Sequence, residues 1–332
     1  MKKKLLIVGG SGFIGHNLAL KLNKDFDITI IDSFNVNNLL TFQSDVVKNK
    51  FLFRKILNNR LDLLEKLNIK LKILDARNHD ELSKAVSDCK PDVLLHLAAV
   101  SHSNESNKTP HNTFDNSLRT LENSLDCIKH NNIHLIYLSS SMVYGNFEGR
   151  NVKEDDILKP IGIYGSLKHA GELIIKSYNE VFNTPYTIIR PSALYGERCV
   201  SRRVSQIFIE NALTDKEISI KGDGNEKLDF TYIDDLVNGI KNCINNENSI
   251  NQTFNITYGN GRKINELVHI LREYFPDLKV SYGDKDKFMP ERGTLDISKA
   301  KKLIDYSPTY PLEVGFKKNI EWYIDFFKTI NN

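Results

Sequence analysis

A short apolar segment, Lys4 to Val8, runs straight into Gly9-Gly10-Ser11-Gly12-Phe13-Ile14-Gly15 and then into helical periodicity from Phe13 to Leu22. No other stretch restricts the fold as much. Glycines so placed after a strand serve a tight turn, a close approach of backbone to a pyrophosphate, and close packing of helix on strand. The start of the helix then offers free N–H groups to the phosphates. Glycine spacing alone is weak, because an ordinary strand-helix unit can also close on a Gly-rich turn. Here a strand precedes it, a helix follows it, and Asp32 ends the next strand. A carboxylate at that point accepts hydrogen bonds from a ribose diol and repels a 2'-phosphate, which points to NAD rather than NADP. Asp75, ending the third strand, could reach the adenine amine or belong to a simple surface turn.

Further apolar runs lie at Ile28 to Ile31, Leu71 to Leu74, Val93 to Leu97, Leu135 to Leu138 and Thr187 to Ile189. Helical spacing separates them at His79 to Val86, Phe114 to Ile128 and Tyr164 to Phe182. This alternation predicts an α/β fold, a Rossmann-type doubly wound parallel sheet. Asn35 to Lys70 is too long for one connection; Phe51 to Leu67 repeats leucines at helical intervals and predicts an added helix or two, with no readable function. After Arg190-Pro191 the elements shorten and are interrupted by Gly222-Asp223-Gly224, Gly259-Asn260-Gly261 and Pro308. We therefore expect residues 1–190 to bind the dinucleotide and 191–332 to form mainly a smaller, interleaved α/β substrate domain. About 230–258 should return to the first domain, since Thr253 to Ile256 reads as a buried strand.

Lys and Arg number 45 against 42 Asp and Glu, a formal charge of +3, which gives no electrostatic case for a nucleic-acid or membrane-surface partner. No segment is apolar for the length that spans a bilayer. The apolar run after Met1 to Lys4 imitates a signal peptide but stops at Gly9-Gly10 without a small-residue cleavage site. Cys89, Cys127, Cys199 and Cys243 lie far apart without metal-ligand spacing, so we expect reduced thiols, a cytoplasmic protein and no metal.

Ser139-Ser140-Ser141-Met142-Val143-Tyr144-Gly145 follows the fifth strand, at the carboxyl edge where open sheets bind ligands. Tyr164 and Lys168 come next, four apart on one helix face. Hydride transfer at an alcohol carbon needs a base for the hydroxyl proton, and a phenol with a pKa of about 10 requires a nearby cation to serve. Lys168 could supply charge and a serine hydroxyl could align the substrate oxygen. Taken singly, each residue also fits an exposed helix pair or a polar turn.

With these motifs, the chain resembles the extended short-chain dehydrogenase/reductase family, within it the nucleotide-sugar epimerase and dehydratase group. The likeness also includes His96-Leu97-Ala98-Ala99, Ser106 with Pro110, Asn116 with Thr120, Tyr195-Gly196, Asp229-Phe230, Ser298-Lys299-Ala300 and Glu321-Trp322-Tyr323. It implies Tyr164 as acid/base, Lys168 as the residue that binds the nicotinamide ribose and lowers the tyrosine pKa, and Ser140 as the catalytic hydroxyl, with Ser141 a substitute by one position. Cofactor contacts are expected from Gly9, Ser11, Gly12, Phe13, Ile14, Gly15, Asp32, Asp75, Ala76, Leu97, Ala98, Ala99, Asn116, Ser139, Tyr164, Lys168 and Pro191. Relatives often form homodimers through the helices corresponding to Phe114 to Ile128 and Tyr164 to Phe182, which should then show apolar outer faces.

Water-eliminating relatives carry an acidic pair just after the catalytic hydroxyl, and decarboxylating ones a glutamate near Met142. Ser141-Met142 cannot move those protons. The resemblance therefore implies an NAD-dependent epimerase acting on a nucleotide-diphosphate sugar, most simply at C4 through a transient ketone. A dehydrogenase or ketoreductase making one net hydride transfer is the alternative, ahead of a 4,6-dehydratase or a silent dinucleotide sensor. Ala193 and Leu228 replace an Asn and an Arg that help relatives hold the diphosphate. Arg202 or Arg203, with Arg292, are the expected replacements, although a solvated basic helix start is the plain alternative for the first two. Substrate contacts are thus expected from Ser101, Ser140, Ser141, Tyr164, Arg202, Arg203 and Arg292.

Overall fold

The computed structural model describes residues 2–41, 49–101, 103–285 and 289–331, the last without its side chain. Seven parallel strands form one sheet. Its order is Gln252–Asn255, then β6 (Tyr186–Arg190), β5 (His134–Leu138), β4 (Val93–His96), β1 (Lys4–Val8), β2 (Asp27–Asp32) and β3 (Lys70–Ile73). The chain winds outward from β1 to β3, then returns to the other side of β1 at β4, so the strand order reverses between β1 and β4. Val8 pairs with both Ile31 and His96, which brings the carboxyl ends of three strands level at that crevice.

Both faces of the sheet are covered, which is why β1 reads as an unbroken apolar run. Leu5 and Ile7 face one layer with α1 (Phe13–Leu22) and α2 (Lys50–Lys66), while Leu6 and Val8 face the other with Leu82, Leu121, Leu125 and Ile175. The first layer continues without a break into Tyr195, Phe208, Phe230, Tyr232 and Phe316, so the two halves of the chain share one core.

The smaller unit is built from paired short strands, Ile218–Lys221 with Val280–Gly283 and Lys227–Asp229 with Gly261–Lys263. Helices Val204–Leu213, Ile264–Arg272 and Leu312–Asn331 pack on them. Residues 42–48, within the long segment from Asn35 to Lys70, lie outside the described residues. The rest of that segment holds one helix, α2, whose Leu52, Phe53, Ile56, Leu57 and Leu64 enter the core.

One expected helix differs. Phe114 to Ile128 is not a single α-helix: a short helix Pro110–Phe114 passes through a π-helical turn, Asp115–Arg119, into Thr120–Ile128. Apolar periodicity survives such a turn, whereas the hydrogen-bond register does not. Among the described residues no helix is long and apolar enough to cross a membrane.

Candidate active site

The glycine turn forms a cradle that only glycine fits. A Cβ on Gly9 would stand 2.7 Å from the Ala98 nitrogen, and one on Gly15 would stand 2.4 Å from the Gly10 carbonyl oxygen. In front of it lies a cleft of about 120 Å³ lined by Gly9, Gly12, Phe13, Ile14, Gly15, Asp32, Asp75, Ala76, Leu97, Ala98, Ala99, Ser101 and Asn116. Asp32 accepts from the Ser11 and Phe34 backbone N–H groups at 3.0 and 2.8 Å, and burial raises its pKa. These residues fit an NAD: backbone N–H groups at a helix start for its pyrophosphate and a carboxylate at the end of β2 for a ribose diol.

The expected cofactor residues do not all meet the cleft in the same way. Ser11 is 1% exposed, with its hydroxyl accepting from Asn38 at 2.7 Å, so it shapes the turn from behind. Asp75 lines the cleft, but Arg77 engages its carboxylate from both backbone and guanidinium, the arrangement of a surface turn. Ser139 and Pro191 line the neighbouring cavity rather than the cleft. The Ser139 hydroxyl donates to Glu172 at 2.5 Å. Asn116 sits in the π-helical turn and donates to the Asn112 carbonyl at 2.9 Å.

That second cavity, about 400 Å³, is lined by Ser101, Ser139, Ser140, Ser141, Met142, Tyr164, Pro191, Arg202, Arg203 and Arg292. Ser101 and Arg203 belong to the walls of both spaces. Tyr164, in the first turn of helix Gly162–Phe182, shares the cavity wall with Ser140, whose side chain favours the ionised phenol. Burial raises the pKa of this phenol, while the Arg203 guanidinium and the Ser140 hydroxyl act to lower it. Lys168 is buried one turn on, its Nζ donating to the Leu138 carbonyl at 2.6 Å, and desolvation lowers its pKa to about 7 against the opposing charge of Glu172. The Arg203 guanidinium thus eases ionisation of Tyr164, a charge the sequence had sought in Lys168, one turn along the same helix. Ser141 donates its backbone N–H to the Pro191 carbonyl at 2.9 Å.

Among the described residues, Arg203 and Arg292 each carry a buried Nε without a hydrogen-bond partner, and burial, with the Arg203 charge beside it, lowers the Arg292 pKa to about 10. Two guanidinium groups held near each other with unused donors at a cavity wall suit an anionic ligand. Arg202 lines the same wall, its backbone N–H donating to Gln206 at 2.8 Å.

Beneath the site is a network that single motifs did not reveal. Arg190 donates to Glu172 at 2.7 and 2.9 Å and to the Tyr144 hydroxyl at 2.9 Å, and Tyr144 donates to Asn255 at 2.7 Å. It locks the turn Ser141–Tyr144 after β5, β6, strand Gln252–Asn255 and helix Gly162–Phe182 together. Asp229 is likewise internal: fully buried, it accepts from Thr257, Gly259 and Leu295, and burial lifts its pKa to about 6.

Cleft, cavity and the Ser140–Tyr164 pair at the carboxyl edge of a doubly wound sheet define an NAD-dependent enzyme of the extended short-chain dehydrogenase/reductase type. The profile of the NAD dependent epimerase/dehydratase family matches residues 5–257, and the chain belongs to that family. Protein CapI of Staphylococcus aureus is 28% identical over 98% of this chain and 99% of its own. A putative UDP-glucose 4-epimerase of Methanocaldococcus jannaschii is 30% identical over 96% and 97%. Among solved structures, UDP-glucuronic acid 4-epimerase from Bacillus cereus, in complex with UDP-glucuronic acid and NAD, superposes with a TM-score of 0.85 at 28% identity, covering 97% of this chain and 99% of that one.

Proposed function

We propose that this protein is an NAD-dependent nucleotide-sugar epimerase that inverts C4 through a transient 4-keto sugar. The observation that carries the reading is the pairing of Ser140 with Tyr164 on the wall of a cavity that also presents the Arg203 and Arg292 Nε groups, which find no partner among the described residues. Gly9, Gly12 to Gly15, Asp32 and Leu97 to Ala99 hold the cofactor. Bound there, NAD supplies a reversible hydride acceptor for the sugar carbon. Tyr164 takes the hydroxyl proton, aided by the Arg203 charge, and Ser140 keeps the sugar oxygen in line with the phenol. The same groups return the proton after the ketone has turned. Arg203 and Arg292 take the diphosphate, replacing the donors lost at Ala193 and Leu228. Ser141 and Met142 line the cavity without an acid to expel water.

Residues 1–190 with 230–258 serve the cofactor, and most of 191–332 the substrate. We further propose a homodimer through helix Gly162–Phe182, where Leu173 and Val181 are 53% and 68% exposed, with Phe114 at 45% beside it. Four free cysteines suit the reducing cytoplasm.

The test is a panel of UDP-, GDP-, CDP- and dTDP-sugars, including UDP-glucose and UDP-glucuronic acid, followed by product mass, NMR and reduced-nicotinamide absorbance. A product of unchanged mass, altered at C4 without net NADH, is expected. Net NADH with loss of two hydrogens would make the protein a dehydrogenase, and loss of water would overturn the role given to Ser141 and Met142.

A further inference from the structure

The helix inserted between β2 and β3 sends one charged side chain into the core. Arg60 is 1% exposed. Its Nη1 donates to the Ser11 carbonyl in the glycine turn at 3.4 Å, while Nε, at 3.0 Å, and Nη2 donate to the Arg198 carbonyl. The Arg198 side chain turns back: its Nε donates to His16 Nε2 at 3.1 Å, and His16 Nδ1 donates to the Gly12 carbonyl at 2.8 Å. Burial and the two arginines hold His16 neutral, which the acceptor role of Nε2 requires. A closed ring results, from Ser11 through Arg60, Arg198 and His16 to Gly12.

Arg198 belongs to the loop that leads from Gly196 to Arg202 and Arg203 on the substrate cavity. That loop is strained, with Arg198 at φ +64° and Arg202 at φ +50°. Non-glycine residues hold such angles only where their surroundings impose them. Arg60 and the Tyr323 hydroxyl, which donates to the Cys199 carbonyl at 3.1 Å, are those surroundings.

We propose that Arg60 is a positioning residue that couples the cofactor's pyrophosphate turn to the arginine loop of the substrate cavity, so that occupation of the NAD cleft orders Arg202 and Arg203 for the nucleotide sugar. The proposal rests on the assignment of the two spaces made above. Ser11 and Gly12 bracket the backbone that meets the pyrophosphate, and both ends of the ring close on that pair. A guanidinium can serve carbonyls on opposite edges at once, which a compact ammonium cannot.

The test compares wild type with Arg60→Lys, and with Arg60→Met as a second variant, by amide hydrogen exchange with and without NAD and by calorimetry. In wild type, NAD should protect both the glycine turn and residues 197–204, and should tighten binding of UDP used as a probe. In Arg60→Lys, protection of the glycine turn should remain, protection of 197–204 should be lost, and the tightening of UDP should disappear. NAD affinity itself should fall about tenfold, the size expected for one hydrogen bond to a charged group. Arg60→Met should behave alike if it folds; Arg60→Lys decides the matter if it does not. Unchanged protection of 197–204 in Arg60→Lys, or none in wild type, would overturn the coupling. Failure of UDP to bind at all would count against the nucleotide assignment, while the exchange pattern with NAD would still judge the ring.

Discussion

Ser140 and Ser141 are neighbours in the chain, yet only the first acts on the ionisation of the Tyr164 phenol. Ser140 caps the turn Ser141–Tyr144, accepting from the Met142 N–H at 3.2 Å, and that cap holds its side chain on the cavity wall it shares with Tyr164. Ser141 lines the cavity with its backbone N–H held by the Pro191 carbonyl. Ser140→Ala should therefore lower kcat by about 10²- to 10³-fold, in the range for a group that aligns a proton transfer. Ser141→Ala should change kcat by less than about tenfold on the same scale. Steady-state kinetics with the substrate found by the panel checks this, and equal losses for both variants would remove the distinction. The sequence favoured Ser140 and kept Ser141 as a substitute one position on, because register within a serine run depends on the turn that follows it.

At the scale of elements, α2 shows how a segment without a readable role is fixed in place. Phe53 is fully buried against the sheet, while Phe51, two residues earlier, is 59% exposed with the Lys55 ammonium over its ring. Phe53→Ala should cost about 3–5 kcal/mol of stability, as for other large core truncations, and Phe51→Ala no more than about 1 kcal/mol, the worth of an exposed cation–π contact. Urea unfolding at constant m-value measures both. The strands were legible in the sequence because a parallel sheet covered on both faces makes each strand a continuous apolar run. The glycine turn, Asp32, Ser140 and Tyr164 were legible because their chemistry needs fixed spacing. Arg60 and Glu172 were not: a charged residue on an amphipathic helix reads as a solvated face, and its burial depends on Arg198 or Arg190, far away in sequence. The π-helical turn at Asp115–Arg119 escaped for a different reason, since side-chain periodicity does not report which carbonyl each N–H chooses.

For the whole molecule, burial of titratable groups between layers sets how stability responds to acid. His134, in β5, is buried with Nε2 2.8 Å from the Thr187 hydroxyl, and desolvation lowers its pKa to about 4. His96, in β4, is lowered to about 3 by burial and by the Lys168 charge. Unfolded, both titrate near 6.5. Between that value and the folded pKa the unfolded chain binds more protons, so each histidine withdraws stability as pH falls from 6.5 towards 4 or 3. Asp229 acts in the opposite sense: with its folded pKa raised to about 6, the native state binds the extra proton, and stability is gained as pH falls from 6 to the ordinary carboxylate range. A bulk melting curve mixes these opposing contributions, so the informative quantity is the difference between wild type and His134→Gln. At pH 7.5 the variant should be less stable by about 1 kcal/mol, the net worth of the hydrogen bond to Thr187. Near pH 4 the wild type also bears most of the cost of its depressed histidine, about 3 kcal/mol at 1.36 kcal/mol per pKa unit, and the variant does not. The order of stability should therefore reverse between pH 7.5 and pH 4, read from chemical denaturation at both values. A gap that stays constant would mean that His134 is as readily protonated in the folded protein as in the unfolded chain, and that the layer between β5 and β6 is open to water.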